Sequence, residues 1–158
     1  MKTLYLIRHG QAHAGEPDKE RRLTTLGQRQ AHWVAQQFQD KKIYPDSVIS
    51  SPAQRARQTA EIISNELGYS TEQLQLQPVI YSGDQMRIIT IIRAFESTWH
   101  QVFLVGHNPY LSELVYTLCQ KKIQLPPCGV VSILFDQDQW HNNSSTLLFT
   151  LLPPDDIY

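Results

Sequence analysis

The sequence predicts an α/β fold, three-layer α/β/α, with a mainly parallel sheet and an antiparallel addition at the C-terminus. Two observations carry this. Between Thr3 and Leu118 a short apolar run is followed by a run of helical period four times over, and beyond Gly129 the chain closes on two β-rich runs joined by a polar segment. Strand–helix alternation makes parallel crossovers that cover both faces of a sheet, whereas strands joined directly pair antiparallel. No repeat, low-complexity tract or linker divides the 158 residues, of which 41% are hydrophobic. Residues 1–158 are therefore read as a single domain with a sizeable core.

Each element has its own signal. Thr3 to Ile7 reads as a strand, and Thr25 to Gln39 switches to helical period, with Ala31, Val34, Ala35 and Phe38 on one stripe. Ser47 to Ser50 is a second short strand. Ser51-Pro52 then suits an N-cap and first helical position ahead of Ala56, Ala60, Ile63 and Leu67, with Gly68 placed to stop the helix. Leu76 to Ile80 reads as a weaker strand, interrupted by Pro78 and so placed near an edge, and Asp84 caps a helix carrying Ile88, Ile92 and Phe95. Gln101 to Val105 is the clearest buried strand, and Asn108-Pro109 again offers a cap and first position, here for a helix bearing Leu111, Leu114, Val115 and Leu118. Gly129 to Phe135 and Ser145 to Leu152 form a hairpin across Asp136 to Asn143, and the tail from Pro153 to Asp156 is read as a loose end.

Bulk properties exclude several function classes. A formal net charge of -1 leaves no global basic field for nucleic acid, so anion recognition must be local. The short basic groups Lys19 to Arg22 and Lys41-Lys42 read as solvated faces. Apolar runs fall short of a membrane span, and the first residues lack the features of a secretory signal, so a cytoplasmic protein without membrane contact is expected. Cys119 and Cys128 form no CxxC pair and have no histidine at metal-ligand spacing; they read as packed free thiols, with a disulfide as the alternative and no metal site. No cofactor is implied, and a monomer is expected.

The chemistry collects at strand ends. Open α/β sheets bind ligands outside the carboxyl ends of their strands. The first strand ends in Arg8-His9-Gly10, the second leads into "SSPAQRARQT" with Arg55 in the first turn of its helix, and the fourth ends in Gly106-His107-Asn108-Pro109. Two like charges ~4 Å apart at an effective dielectric near 20 cost ~4 kcal/mol, so Arg8, Arg55 and a protonated histidine call for a dianion between them. Arginine forks match phosphate oxygens, and helix N-termini add oriented N–H groups, so the inferred ligand is a phosphoryl group.

These residues carry a resemblance. "LIRHG", "RRLTTLG" at 21 to 27, "SSPAQRARQTA" from Ser51 and "LVGHNP" at 104 to 109 resemble the motifs of the histidine phosphatase superfamily, and their order and compactness resemble its SixA branch of phosphohistidine phosphatases. The resemblance runs from Thr3 to about Leu118 and implies a phosphoglycerate mutase-like fold. It places the phosphorylated nucleophile on His9 and the phosphate pocket on Arg8, Arg55 and His107. Arg21 would be an accessory contact, although the family's proline stands at neither 21 nor 22. A neutral imidazole suits the nucleophile, with an acceptor on its other nitrogen to fix the tautomer. Gly10 either opens a path for the phosphate or serves a turn; Gln11 and Asn108 are candidate substrate contacts.

Family members acting on phosphate esters bring a carboxylic acid after the third strand to protonate the leaving alkoxide. Here that stretch is "QPVIYSGD", with no carboxylate before Asp84, which is also placed to cap the next helix. An alkoxide is as basic as water's pKa of ~15.7 suggests, whereas imidazole leaves at ~6.5. At ~1.4 kcal/mol per unit the difference approaches 12 kcal/mol, which favours a P–N bond. The expected partner is a phosphorylated protein, such as a histidine phosphotransfer domain, reached through a site with little room for a lid. The alternatives are a general phosphomonoesterase of the same superfamily and a noncatalytic phospho-ligand-binding module.

Overall fold

The computed structural model describes residues 1–141 and 144–157; Asn142 and Asn143, in the segment joining the last two strands, lie outside the described residues, as does Tyr158. The strands are β1 (Lys2–Arg8), β2 (Ser47–Ser50), β3 (Gln75–Leu76), β4 (Gln101–Gly106), β5 (Val130–Phe135) and β6 (Ser145–Leu151). They form one sheet in the order β3-β2-β4-β1-β5-β6. The pairs β2/β3, β2/β4 and β1/β4 are parallel, while β1/β5 and β5/β6 are antiparallel. This is the α/β fold that the alternation predicts, with the closing hairpin supplying the antiparallel edge.

The helices are α1 (Thr25–Asp40), α2 (Gln54–Glu66), α3 (Pro78–Ser82), α4 (Gln85–Arg93) and α5 (Tyr110–Cys119). Side chains alternate across a strand, so β1 sends Tyr5 and Ile7 to one face and Leu4 and Leu6 to the other. Tyr5, Ile7, Val48, Phe103 and Val105 pack with Ala31, Val34 and Phe38 of α1 and Ala56, Ala60 and Ile63 of α2. Leu4, Leu6, Val102 and Leu104 pack with Ile80, Ile88 and Ile92 of α3 and α4, and with Leu111, Leu114 and Val115 of α5. Both faces of β1 and β4 are thus covered, which is why their sequences read as unbroken apolar runs.

Three local expectations are corrected. Leu76 to Ile80 is not a strand: only Gln75–Leu76 pairs with β2, and Pro78 opens α3, whose Ile80 is buried. A proline has no N–H to lose in a first helical turn, so the residue that looked like an interruption is a helix start. Ser51-Pro52 precedes rather than begins α2, whose N-cap is Ala53; the Ser51 hydroxyl accepts from Ala53 N at 3.2 Å instead. Likewise Pro109 occupies the N-cap of α5, while the Asn108 side chain accepts from Ser112 N at 3.2 Å. Other signals act as read: Asp84 caps α4 by accepting from Arg87 N at 3.2 Å, and Gly68 follows α2 with a positive φ of 75°. Thr24, unassigned from the sequence, caps α1 by accepting from Gly27 N at 3.0 Å.

The end of β1 is fixed from several sides. Arg8 N donates to Gly129 O, His9 N donates to Gly106 O, and His9 O accepts from Cys128 N, all within 3.1 Å. The next residues run against the first turn of α1 at backbone contact. A Cβ on Gly10 would lie 2.6 Å from Gly27 O, and one on Gly27 would lie 2.0 Å from Gln11 O. Gly27→Ala should therefore cost roughly 1–3 kcal/mol through overpacking, read as a lower urea midpoint. An unchanged midpoint would contradict this close packing.

Candidate active site

The parallel strands β1, β2 and β4 end on the same edge of the sheet, and the structure brings Arg8, His9, Arg55 and His107 together there. The rings of His9 and His107 lie with centroids 5.1 Å apart. His9 Nδ1 is 2.7 Å from Gly10 O. A carbonyl can only accept, so Nδ1 carries the proton and the Nε2 lone pair is left free. His107 is buried; its Nε2 pairs with Ser51 Oγ at 2.8 Å, and its Nδ1 is buried without a partner among the described residues.

Both arginines are held at their tips. Arg8 Nη1 donates to Leu125 O at 2.8 Å, and Arg55 donates through Nη1 to Asp18 O at 2.8 Å and through Nη2 to Asp18 Oδ2 at 3.1 Å. In each case Nε is buried and has no hydrogen-bond partner among the described residues. A buried guanidinium with an unused donor beside two histidines is prepared for an oxyanion that completes it. Thr59 ties α2 to the nucleophile loop: its Oγ1 accepts from Gly10 N at 3.0 Å and donates to Arg55 O at 2.8 Å.

The remaining candidates fall into place differently. Arg21 lies at the rim, donating through Nε to His13 O at 2.7 Å and through Nη1 to Asp18 Oδ1 at 3.0 Å. Its charge nonetheless reaches His9. Gly10 lies against α1, where a Cβ would meet Gly27 O. Asn108 is committed to structure: Oδ1 accepts from Ser112 N and Oγ, and Nδ2 donates to Leu125 O at 3.3 Å. That bond holds the carbonyl gripping Arg8, so Asn108 supports the pocket from behind. Gln11 is exposed, with Oε1 accepting from Thr24 Oγ1 at 2.8 Å.

Two side chains at the site were missed from the sequence, Asp18 and Tyr81. Asp18 sits on the 3-10 turn Asp18–Glu20 and accepts from Arg21, Arg55 and the Tyr81 hydroxyl, the last at 2.7 Å. Tyr81 projects from α3 and presents its ring edge-on to His107 at 5.6 Å. Helical period could not assign Tyr81 while Leu76 to Ile80 read as a strand and Tyr81 fell just beyond it. Asp18 had one available signal, its position three residues before Arg21.

Electrostatics follow from burial. Burial and then the Arg55, Arg8 and Arg21 charges hold His9 down to about 4, against the opposing pull of the Gly10 carbonyl. His107 falls to about 3 through burial, His9, Arg55 and Arg8, with Asp18 opposing. Both rings are neutral at pH 7, in keeping with the cost of a protonated histidine beside Arg8 and Arg55 without a dianion. Asp18 is held well below the usual carboxylate range by Tyr81 and Arg21 first, and then by Arg55.

Residues 4–78 match the family model described as "Histidine phosphatase superfamily (branch 1)". The structure of the protein histidine phosphatase SixA complexed with tungstate superposes with a TM-score of 0.86 at 22% identity, covering 95% of this chain and 96% of that one. An uncharacterised protein of Picosynechococcus sp. is 28% identical over 96% of both chains. The mitochondrial serine/threonine-protein phosphatase Pgam5 of Drosophila grimshawi is 36% identical over 52% of this chain, but the match spans only 29% of that protein. No helix among the described residues is long and apolar enough to cross a membrane.

The two depressed histidines make a testable link to stability. Between pH 6.5 and about 4 the unfolded chain binds protons that the folded His9 and His107 refuse. The unfolded state then carries more protons, so stability falls as pH falls through that window. The apo melting temperature should drop by roughly 5–10 °C from pH 6.5 to 4, and by visibly less in His107→Gln. Equal pH dependence in the two proteins would contradict the buried, neutral assignment.

Proposed function

We propose that the protein is a phosphohistidine phosphatase that works through a phospho-His9 intermediate. The observation that carries this reading is that, among the described residues, neither Asp18 beside the pocket nor Asp84 after the third strand is free to donate a proton. Asp18 is held ionised by three donors, and Asp84 caps α4, while the place after β3 presents Tyr81. An alkoxide leaving group would need a proton that these residues do not offer; an imidazole needs far less help.

In the proposed reaction the His9 Nε2 lone pair attacks phosphorus while the P–N bond of the substrate breaks. The nitrogen of the leaving imidazole takes back the electron pair. Arg8 and Arg55 supply their unused Nε donors to the equatorial oxygens, and His107, whose Nδ1 lacks a partner, gains a proton as the dianion enters. Charge stabilisation of this preorganised kind is the main contribution open to the protein in phosphoryl transfer. Water then attacks phospho-His9 and releases phosphate, while Nδ1 keeps its proton on the Gly10 carbonyl. That the SixA structure of the same fold is complexed with tungstate, an oxyanion, supports oxyanion binding by this chain.

The substrate is proposed to be a phosphorylated side chain on a protein surface, such as that of a histidine phosphotransfer domain, with no metal or other cofactor required. A phosphoester is the rival substrate, favoured by the likeness to the serine/threonine phosphatase Pgam5. Rapid-quench labelling with a phosphohistidine protein and with an alkyl phosphate ester tests the choice. Label should be trapped on His9 from phosphohistidine and lost in His9→Ala, and a chelator should leave turnover unchanged. Faster turnover of the alkyl ester would favour the rival. Arg55→Ala should lower kcat by about 10²-fold or more and weaken tungstate inhibition; intact inhibition would remove Arg55 from the oxyanion site.

A further inference from the structure

Imidazole leaves easily only if the ring nitrogen not bonded to phosphorus carries a proton. The P–N bond then breaks to give neutral imidazole; without that proton it must give imidazolate, a far stronger base. The enzyme's own intermediate meets this condition, because Gly10 O holds the proton on His9 Nδ1. The substrate ring needs an equivalent acceptor, and a pocket lined by Arg8, Arg21 and Arg55 opposes a cationic ring.

We propose that Asp18 is that acceptor: its carboxylate takes the N–H of the substrate's phosphoimidazolium and thereby selects protonated phosphohistidine over phosphate esters. This rests on the phosphohistidine reading and deepens it. Asp18 shares Arg55 with the phosphoryl pocket and meets Tyr81, whose ring faces His107. A carboxylate has about four lone-pair sites. Arg21 occupies one on Oδ1, while Arg55 and Tyr81 occupy two on Oδ2. One site on Oδ1 is left for a donor, and the side chain is 42% exposed, so a ring from outside can reach it.

The other groups around the carboxylate set its charge. Arg21 and Arg55 bond it directly, Lys19 Nζ lies 4.8 Å above the Tyr81 ring, and Glu16 acts on Tyr81 from the same loop. His9 and His107, the titratable groups across the pocket, are neutral near pH 7. Asp18 remains ionised throughout the working range and cannot act as a general acid. It stabilises a proton the substrate brings rather than supplying one.

Asp18→Asn tests this, since it keeps the shape and the backbone carbonyl that grips Arg55. Phosphoimidazole and 4-nitrophenyl phosphate are compared as substrates; the second needs no proton on its leaving group. At pH 7.5 the variant should lose at least about tenfold more kcat/KM for phosphoimidazole than for the aryl phosphate, whose own loss reports the loosened grip on Arg55. The alkaline limb of the phosphoimidazole profile should also move down by about one pH unit, because the lost carboxylate no longer raises the pKa of the bound ring. Equal losses on both substrates with an unmoved limb would show a merely structural role and overturn the proposal. Faster turnover of both would show that Asp18 is a plug competing with phosphate, which also overturns it. If wild-type protein fails on phosphoimidazole and on a phosphohistidine protein alike, the substrate reading fails and takes this proposal with it.

Discussion

The hydrogen bond from His9 Nδ1 to the carbonyl of Gly10 is the constraint on which the site depends. It decides which nitrogen carries the proton, and so which one can attack. The fold serves this bond directly. β1 ends between Gly106 and Cys128, whose backbones grip His9 on both sides, and Gly10 and Gly27 let the following residues lie flat against α1. A side chain at either glycine would push the carbonyl away from the ring it orients.

Around that ring the protein concentrates positive charge at a cost that an incoming anion offsets. The tips of Arg8 and Arg55 are tied to Leu125 and Asp18, so their unused donors are fixed rather than mobile. That cost is reduced by keeping both histidines neutral and by setting the Asp18 carboxylate against Arg21 and Arg55. In the proposed reaction the dianion and Asp18 divide the work: the arginines answer the phosphoryl oxygens, and the carboxylate answers the leaving ring.

The sheet and its chemical edge were legible in the sequence because they rest on local patterns. Short unbroken apolar runs mark β1 and β4, and helical stripes mark α1, α2, α4 and α5. Arg8, His9, Arg55 and His107 stood at the ends of such runs, so topology alone brought them together. Asp18 and Tyr81 were not legible, since their meaning comes from a contact across 63 residues. Pro78 read as a break in a strand because a proline is ambiguous until its partners are known; once α3 is recognised, Tyr81 turns toward His107. Gly10 and Asn108 were legible as candidates, and the backbone contacts each makes became visible only in the structure.

The central claim is that His9 stands neutral, protonated on Nδ1 and free on Nε2, before any substrate arrives. Nitrogen-15 spectroscopy of the histidine rings in the ligand-free protein tests it most directly. The account predicts a neutral Nδ1–H tautomer for His9 at pH 7, with protonation of the ring only near pH 4. A neutral Nε2–H tautomer, or a charged ring at pH 7, would contradict it.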